Sequence, residues 1–137
     1  MQVLANIDVA DLERAVSFYT DALGLGIGRR FGGGAVELVG PSFAIYLLQK
    51  ESHSAAASGL AQQRDYARHW TPVHLDFVVP EIHGAVARAV ATGARLEVEV
   101  RTHNWGHIAV LADPFGHGFC LIEFRGRGYD EIVDSVG

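Results

Sequence analysis

Residues 105–124 read WGHIAVLADPFGHGFCLIEF, and this stretch decides the fold. Two apolar runs, His107–Ala112 and Phe119–Phe124, flank Asp113-Pro114-Phe115-Gly116-His117-Gly118. Proline fixes φ and glycine admits positive φ, so Asp-Pro followed by Gly-x-Gly is turn chemistry and the whole stretch predicts a β-hairpin. Along its second strand Phe119, Leu121 and Glu123 share one face, with Cys120, Ile122 and Phe124 on the other. A carboxylate on an apolar face needs a cation, a metal or a proton beside it. Glu123 is therefore the first candidate functional residue.

Working outward, Ala94–Val100 alternates as a third strand. Before it, Pro80-Glu81 opens a helix whose stripe is Ile82, Ala85, Val86, Ala89 and Val90, stopped by Gly93. Val73–Val79 is a further strand, with His74, Asp76 and Val78 on the face opposite Val73, Leu75, Phe77 and Val79. The order is β-α-β-β-β. The first fifty residues repeat it. Val3–Val9 reads as a strand, with Leu4, Asn6 and Asp8 opposite Val3, Ala5, Ile7 and Val9. Asp11 is an N-cap, Leu12, Ala15, Val16, Tyr19 and Leu23 form a helical stripe, and Gly24 and Gly26 end it. Strands follow near Gly26–Phe31, Ala35–Val39 and Phe43–Gln49. A shift of 70 superposes Val9-Asp11-Leu12 on Val79-Glu81-Ile82, and a shift of 76 brings Gly40 onto Gly116 and Phe43 onto Phe119. Shared order and matching registers make an internal repeat of about 50 residues.

This divides the chain into module one (2–50), a linker (51–71) rich in Ser, Ala, Gln and Gly, module two (72–125) and a tail (126–137). One helical turn over Leu60–Arg68 is the only regular structure expected in the linker. The predicted class is α+β, two tandem β-α-β-β-β modules, each with one helix on one face of its sheet. The chain of 137 residues is one domain's worth, with 49% hydrophobic residues. Its net charge of −5 argues against nucleic-acid or anionic-membrane partners, which favour a basic face. The single cysteine, Cys120, excludes a disulfide framework and fits a reducing, cytoplasmic setting, its place on the strand reading as packing. No run of 18 apolar residues and no signal-peptide pattern is present. Gly32-Gly33-Gly34 lacks the Lys-Ser/Thr of a phosphate loop, and Ser42 lacks the context of a nucleophile elbow.

The first half holds Val9-Ala10-Asp11-Leu12-Glu13-Arg14-Ala15, Phe18-Tyr19 and Leu23-Gly24-Leu25. The second half holds Trp105-Gly106, then Asp113-Pro114-Phe115-Gly116 and Leu121-Ile122-Glu123. In this order and spacing the chain resembles the vicinal oxygen chelate superfamily of glyoxalase I, extradiol dioxygenases, bleomycin- and fosfomycin-resistance proteins and methylmalonyl-CoA epimerase. The resemblance implies a curved mixed sheet, helices on its outer face, a cavity on its concave face, and pairing of modules within a chain or across a homodimer. It also implies metal ligands on the first and last strand of each module. Those positions are His74 and Glu123 in module two, but Leu4 and Leu47 in module one. If the sheets curl so, Asn6, Asp8, His74, Asp76 and Glu123 look into one cavity beside Ile45, Leu47, Phe43, Phe119 and Leu121. Trp105 and His107 would stand at its rim, or else at a subunit interface, and Tyr46 falls on the helix-covered face. His117, in the turn, is expected to be solvated.

Two functions follow. One is a binding protein for an apolar or aromatic small molecule, with no cofactor and a degenerate metal site. The other is a glyoxalase-like lyase or isomerase, or an extradiol dioxygenase, with a divalent metal at His74 and Glu123.

Overall fold

The computed structural model describes residues 1–134; the end of the expected tail, 135–137, lies outside the described residues. Module one comprises β1 (Ala5–Val9), α1 (Leu12–Leu23), β2 (Gly26–Phe31), β3 (Ala35–Val39) and β4 (Ile45–Gln49). Module two comprises β5 (Leu75–Val78), α2 (Ile82–Ala91), β6 (Arg95–His103), β7 (Gly106–Ala112) and β8 (Gly118–Phe124). Each forms a four-stranded mixed sheet, ordered β1-β4-β3-β2 and β5-β8-β7-β6. The predicted α+β class and module order are those observed, and the sheets are curved without closing. The hairpin that opened the sequence reading is β7–β8, antiparallel from Gly106↔Phe124 to Ala112↔Gly118.

Local chemistry sets the helix ends. The Asp11 carboxylate accepts from the Arg14 N–H at 3.1 Å, and Gly24, at φ +69°, donates its N–H back to the Thr20 carbonyl. Glu81 caps α2 by accepting from the N–H groups of His83 and Gly84. The linker has no helical turn; it runs through turns and bends, with a bridge between Ala55 and Gln63. The stretch is poor in periodic apolar residues, so no face exists to hold a helix down.

One apolar core serves both modules. It takes Leu12, Ala15, Val16, Phe18 and Tyr19 from α1 and Ile82, Ala85 and Ala89 from α2. The helix-side residues of both sheets, among them Val36, Leu38, Ile45, Leu47, Leu111, Phe119 and Leu121, join them. The helices also pack on each other. Inside this core the Tyr19 hydroxyl donates to Asp113 Oδ2 at 2.6 Å.

β4 differs from the sequence expectation. It pairs in parallel with β1, Ala5 opposite Ile45 and Ile7 opposite Leu47. Ile45 and Leu47 therefore share the helix-side face with Ala5 and Ile7 and are fully buried, while Tyr46 lies on the open face beside Asn6. The four alternating residues Ile-Tyr-Leu-Leu carry too little polar contrast to fix the phase of a strand, and only the pairing partner does so.

Candidate functional site

The same register logic separates the residues expected to converge. β5 and β8 pair in parallel, with Leu75↔Phe119, Asp76↔Cys120 and Phe77↔Leu121. Odd-numbered residues of both strands face the helices, so Phe119 and Leu121 are buried in the core. Glu123 continues that face. Its Oε1 accepts from the Ile82 N–H at 2.9 Å, at the start of α2, and its Oε2 lies 3.6 Å from His107 Nε2. A carboxylate at a helix N-terminus meets unpaired N–H groups and the positive end of the helix dipole. That is what Glu123 faces. His107 is its neighbour, held through Nδ1 to the Thr102 hydroxyl at 2.9 Å.

His74 lies on the opposite face. Its Nε2 is 3.2 Å from Asp76 Oδ1, and Asp76 stands opposite Cys120. The three side chains bring one donor atom each to within 4.8 Å of one another. Cys120 is buried, and burial, followed by the Asp76 charge, pushes its thiol up to about 12. The Trp70 indole stands edge-on to the His74 imidazole at 5.3 Å.

The remaining expected residues scatter. Asn6 is exposed on the open face of β1, and Asp8 beside it is taken by Arg64 Nε at 2.7 Å. Arg64 comes from the linker, which crosses this face; Tyr66 packs on Phe115 and His117. His117 is not simply solvated. Its Nε2 reaches the Asp8 carbonyl at 2.6 Å and its Nδ1 lies 3.0 Å from His69 Nε2. Trp105, in the β6–β7 turn, stacks on His103 at 5.3 Å and contacts Tyr129, in a 3-10 turn over Gly128–Glu131. It lines neither the cleft between the modules nor the space under the linker.

A cleft of about 450 Å³ opens between the modules, walled by Leu23, Leu25, Phe43, Ile45, Leu75 and Phe77, with the edge of β5, Asp76 and Val78 included, on one side. Of the expected site residues it gathers Phe43 and Asp76. A second space of about 490 Å³ lies under the linker between Asp8, Arg64, Trp70 and His117, and is more polar in its residues. Sequence reasoning passed over Arg64 and read Cys120 as packing. The signal for Cys120, its register opposite Asp76, exists only once β5 and β8 are paired.

The ligand pair implied by the resemblance, His74 and Glu123, does not come together. Leu47 is in the core, Leu4 offers no donor, and His74 and Glu123 are on opposite faces of one sheet.

Two β-α-β-β-β modules with these sheet orders are the architecture of the vicinal oxygen chelate superfamily. Within it the chain belongs to the glyoxalase-like domain family, whose profile matches residues 5–122. A glyoxalase/bleomycin resistance protein/dioxygenase family enzyme from Burkholderia phytofirmans PsJN superposes with a TM-score of 0.68 at 19% identity, over 89% of this chain and 97% of that one. The genomically encoded fosfomycin resistance protein FosX from Listeria monocytogenes gives 0.71 at 14% identity, over 97% and 98%. A variant of FosX complexed with Mn(II) and 1S,2S-dihydroxypropylphosphonic acid gives 0.65 at 17% identity, over 89% and 87%. No functionally curated protein matches the sequence. Among the described residues no helix is long and apolar enough to cross a membrane.

Proposed function

We propose that the chain binds a small, largely apolar or aromatic molecule in the cleft between its modules, and that the metal position typical of its superfamily has been given up. One observation carries this reading: the walls of the cleft are apolar, with the aromatic rings of Phe43 and Phe77 among them. Such walls suit a ligand with an apolar or aromatic body. Phe43 supplies an aromatic wall, and the edge of β5 offers backbone groups for a polar contact. The alternative, a lyase, isomerase or ring-cleaving dioxygenase with its metal between His74 and Glu123, draws no support from two residues on opposite sheet faces.

Two further expectations belong to the same reading. A homodimer joined through sheet edges is favoured by β2, exposed along its whole length with Ile27 and Phe31 in the open. A reducing, cytoplasmic setting suits the free Cys120.

The test is a thermal-shift screen with a library of planar apolar amines, phenols and acids, each hit repeated on Phe43→Ala and Leu25→Ala. Hits weakened by both substitutions support the cleft. Stabilising ligands indifferent to both would move the site elsewhere. Sedimentation velocity settles the dimer.

A further inference from the structure

His69 and His117, both half-buried, meet where the linker reaches module two, with His117 Nδ1 3.0 Å from His69 Nε2. The outer nitrogen of each ring is already committed. His117 Nε2 lies 2.6 Å from the Asp8 carbonyl, and His69 Nδ1 lies 2.7 Å from the Ala67 carbonyl. A carbonyl only accepts, so both outer nitrogens carry protons and donate. Turning either ring over would set a carbon against its carbonyl oxygen. Two neutral imidazoles would then point lone pairs at each other across 3.0 Å. One further proton between the inner nitrogens turns that repulsion into a hydrogen bond. We propose that His69 and His117 form a proton-binding clamp, three protons on two rings with one positive charge, which ties the linker to both modules.

The clamp joins three parts of the chain: Asp8 in β1 of module one, Ala67 and His69 in the linker, and His117 in the β7–β8 turn of module two. The His69 N–H adds a bond to the Gly116 carbonyl at 3.0 Å. The charged groups around the pair are engaged elsewhere. The Asp8 carboxylate holds Arg64, and Glu97 of β6 holds Arg68. Asp113 accepts from the Tyr19 hydroxyl and from two N–H groups of its own turn, and Asp65 from the Ala67 N–H. Tyr66, edge-on to His117 at 6.1 Å, donates its hydroxyl to the Lys50 carbonyl, and Arg14 of α1 stands over Phe115. Among the described residues none of these hydrogen-bonds an inner nitrogen.

Arginine–carboxylate pairs keep their charges between about pH 5 and pH 9, whereas histidine changes its charge near neutrality. In acid each ring takes its own proton and two N–H groups face each other. In alkali the shared proton leaves and two lone pairs do. The unfolded rings bind more protons than the clamp in acid and fewer in alkali, so its contribution is lost in both directions. A maximum at intermediate pH is the mark of a coupled pair and not of one isolated histidine. Both rings line the space of about 490 Å³ under the linker, so the same proton sets how open that space is.

Nitrogen NMR of the imidazoles in ¹⁵N-labelled protein counts the protons directly. Near neutral pH three of the pair's four ring nitrogens should read as protonated and the fourth as hydrogen-bonded. Two unprotonated nitrogens would overturn the proposal. Amide protection at Arg64 and at position 69, corrected for intrinsic exchange, is then followed from about pH 5 to about pH 9. It should peak between and fall about tenfold or more at either end, the weight of a hydrogen bond to a charged group. His69→Gln offers His117 an amide N–H with no extra proton, so its protection should be flat and near the parent's maximum. His117→Ala should lower protection at every pH; His69→Gln scores the clamp even where His117→Ala does not fold. A parent profile that is flat, or that moves in one direction only, overturns the clamp. So does a metal ion bound at one per chain and lost in His69→Gln, since the cation between the rings would then be the metal.

Discussion

Tyr19 and Asp113, 94 positions apart, meet in the core through a hydrogen bond of 2.6 Å that ties the helix of module one to the hairpin turn of module two. Asp113 is otherwise committed to its own turn, its Oδ1 accepting from the N–H groups of Phe115 and His117. Burial, and then the Asp113 charge, hold the Tyr19 hydroxyl well above its ordinary value, so it stays protonated as a donor. Tyr19→Phe removes the donor and leaves a buried carboxylate oxygen without it. The expected loss is about 1.5–3 kcal/mol, read as a shift in urea midpoint. A change below a few tenths would show the contact to be incidental.

Glu37 lies on the open face of module one, with Arg29 Nη2 at 2.6 Å and the Tyr46 hydroxyl at 2.9 Å. Hydrogen bonds from the Arg29 side chain, then its backbone N–H, then Tyr46, bring its carboxyl down to about 2. A depressed folded-state value stabilises the fold above the unfolded value of about 4.3 and loses that contribution as pH falls towards about 2. Glu37→Gln should therefore flatten the acid limb of the stability profile in that window. Above pH 6 its profile should run parallel to that of the parent. Urea melts at pH 6, 4 and 3 provide the comparison; identical acid limbs would remove Glu37 from the account.

Restoring superfamily ligands tests the placement of the strands. Leu4 is 49% exposed, whereas Leu47 is 0% exposed, packed under the helices. Leu4→His should be neutral to within about 0.5 kcal/mol. Leu47→Glu buries an unpaired charge and should cost several kcal/mol or abolish folding. A soluble, cooperative Leu47→Glu variant would place β4 in the other phase.

Glu123 is assigned to the N-terminus of α2. Glu123→Ala is expected to lower stability by about 1 kcal/mol through the Ile82 contact, within the range found for helix-terminal carboxylates. Amide exchange at Ile82, His83 and Gly84 should report it locally, with unchanged protection in α1. Uniform protection across α2 would argue against the contact.

A methyl group at Gly118 would meet ring carbons of Trp70 at 2.7 Å. Trp70 is half exposed and can swing away, releasing its contact with His74. Gly118→Ala in a Trp105→Phe background should shift indole emission to the red with little loss of stability. An unmoved spectrum would mean that the backbone, not the indole, had yielded.

Much of this fold was legible because its signals are local and repeated. Asp11 and Glu81 cap, Gly24 ends α1, and Asp113-Pro114 with Gly116 turns, each by chemistry within four residues. The open-face assignment was legible only in part. His74 and Asp76 were placed together correctly by the period of a strand. Glu123, Ile45, Leu47 and Tyr46 were not, because a strand's period says which residues share a face and never which face that is. The answer for β4 and β8 comes from parallel partners some forty residues away. Arg64 lay in a segment without periodicity, so nothing short of the tertiary structure could join it to Asp8.

The single core shared by α1, α2 and both sheets has a consequence for the duplication itself. A half-chain ending at the linker would expose the flank of its helix and strand the partner of either Tyr19 or Asp113. Neither repeat remains a domain, and the ancestral unit can no longer be recovered by cutting the chain in two. Melting should proceed in one step, with calorimetric and van't Hoff enthalpies equal, although the sequence is written twice.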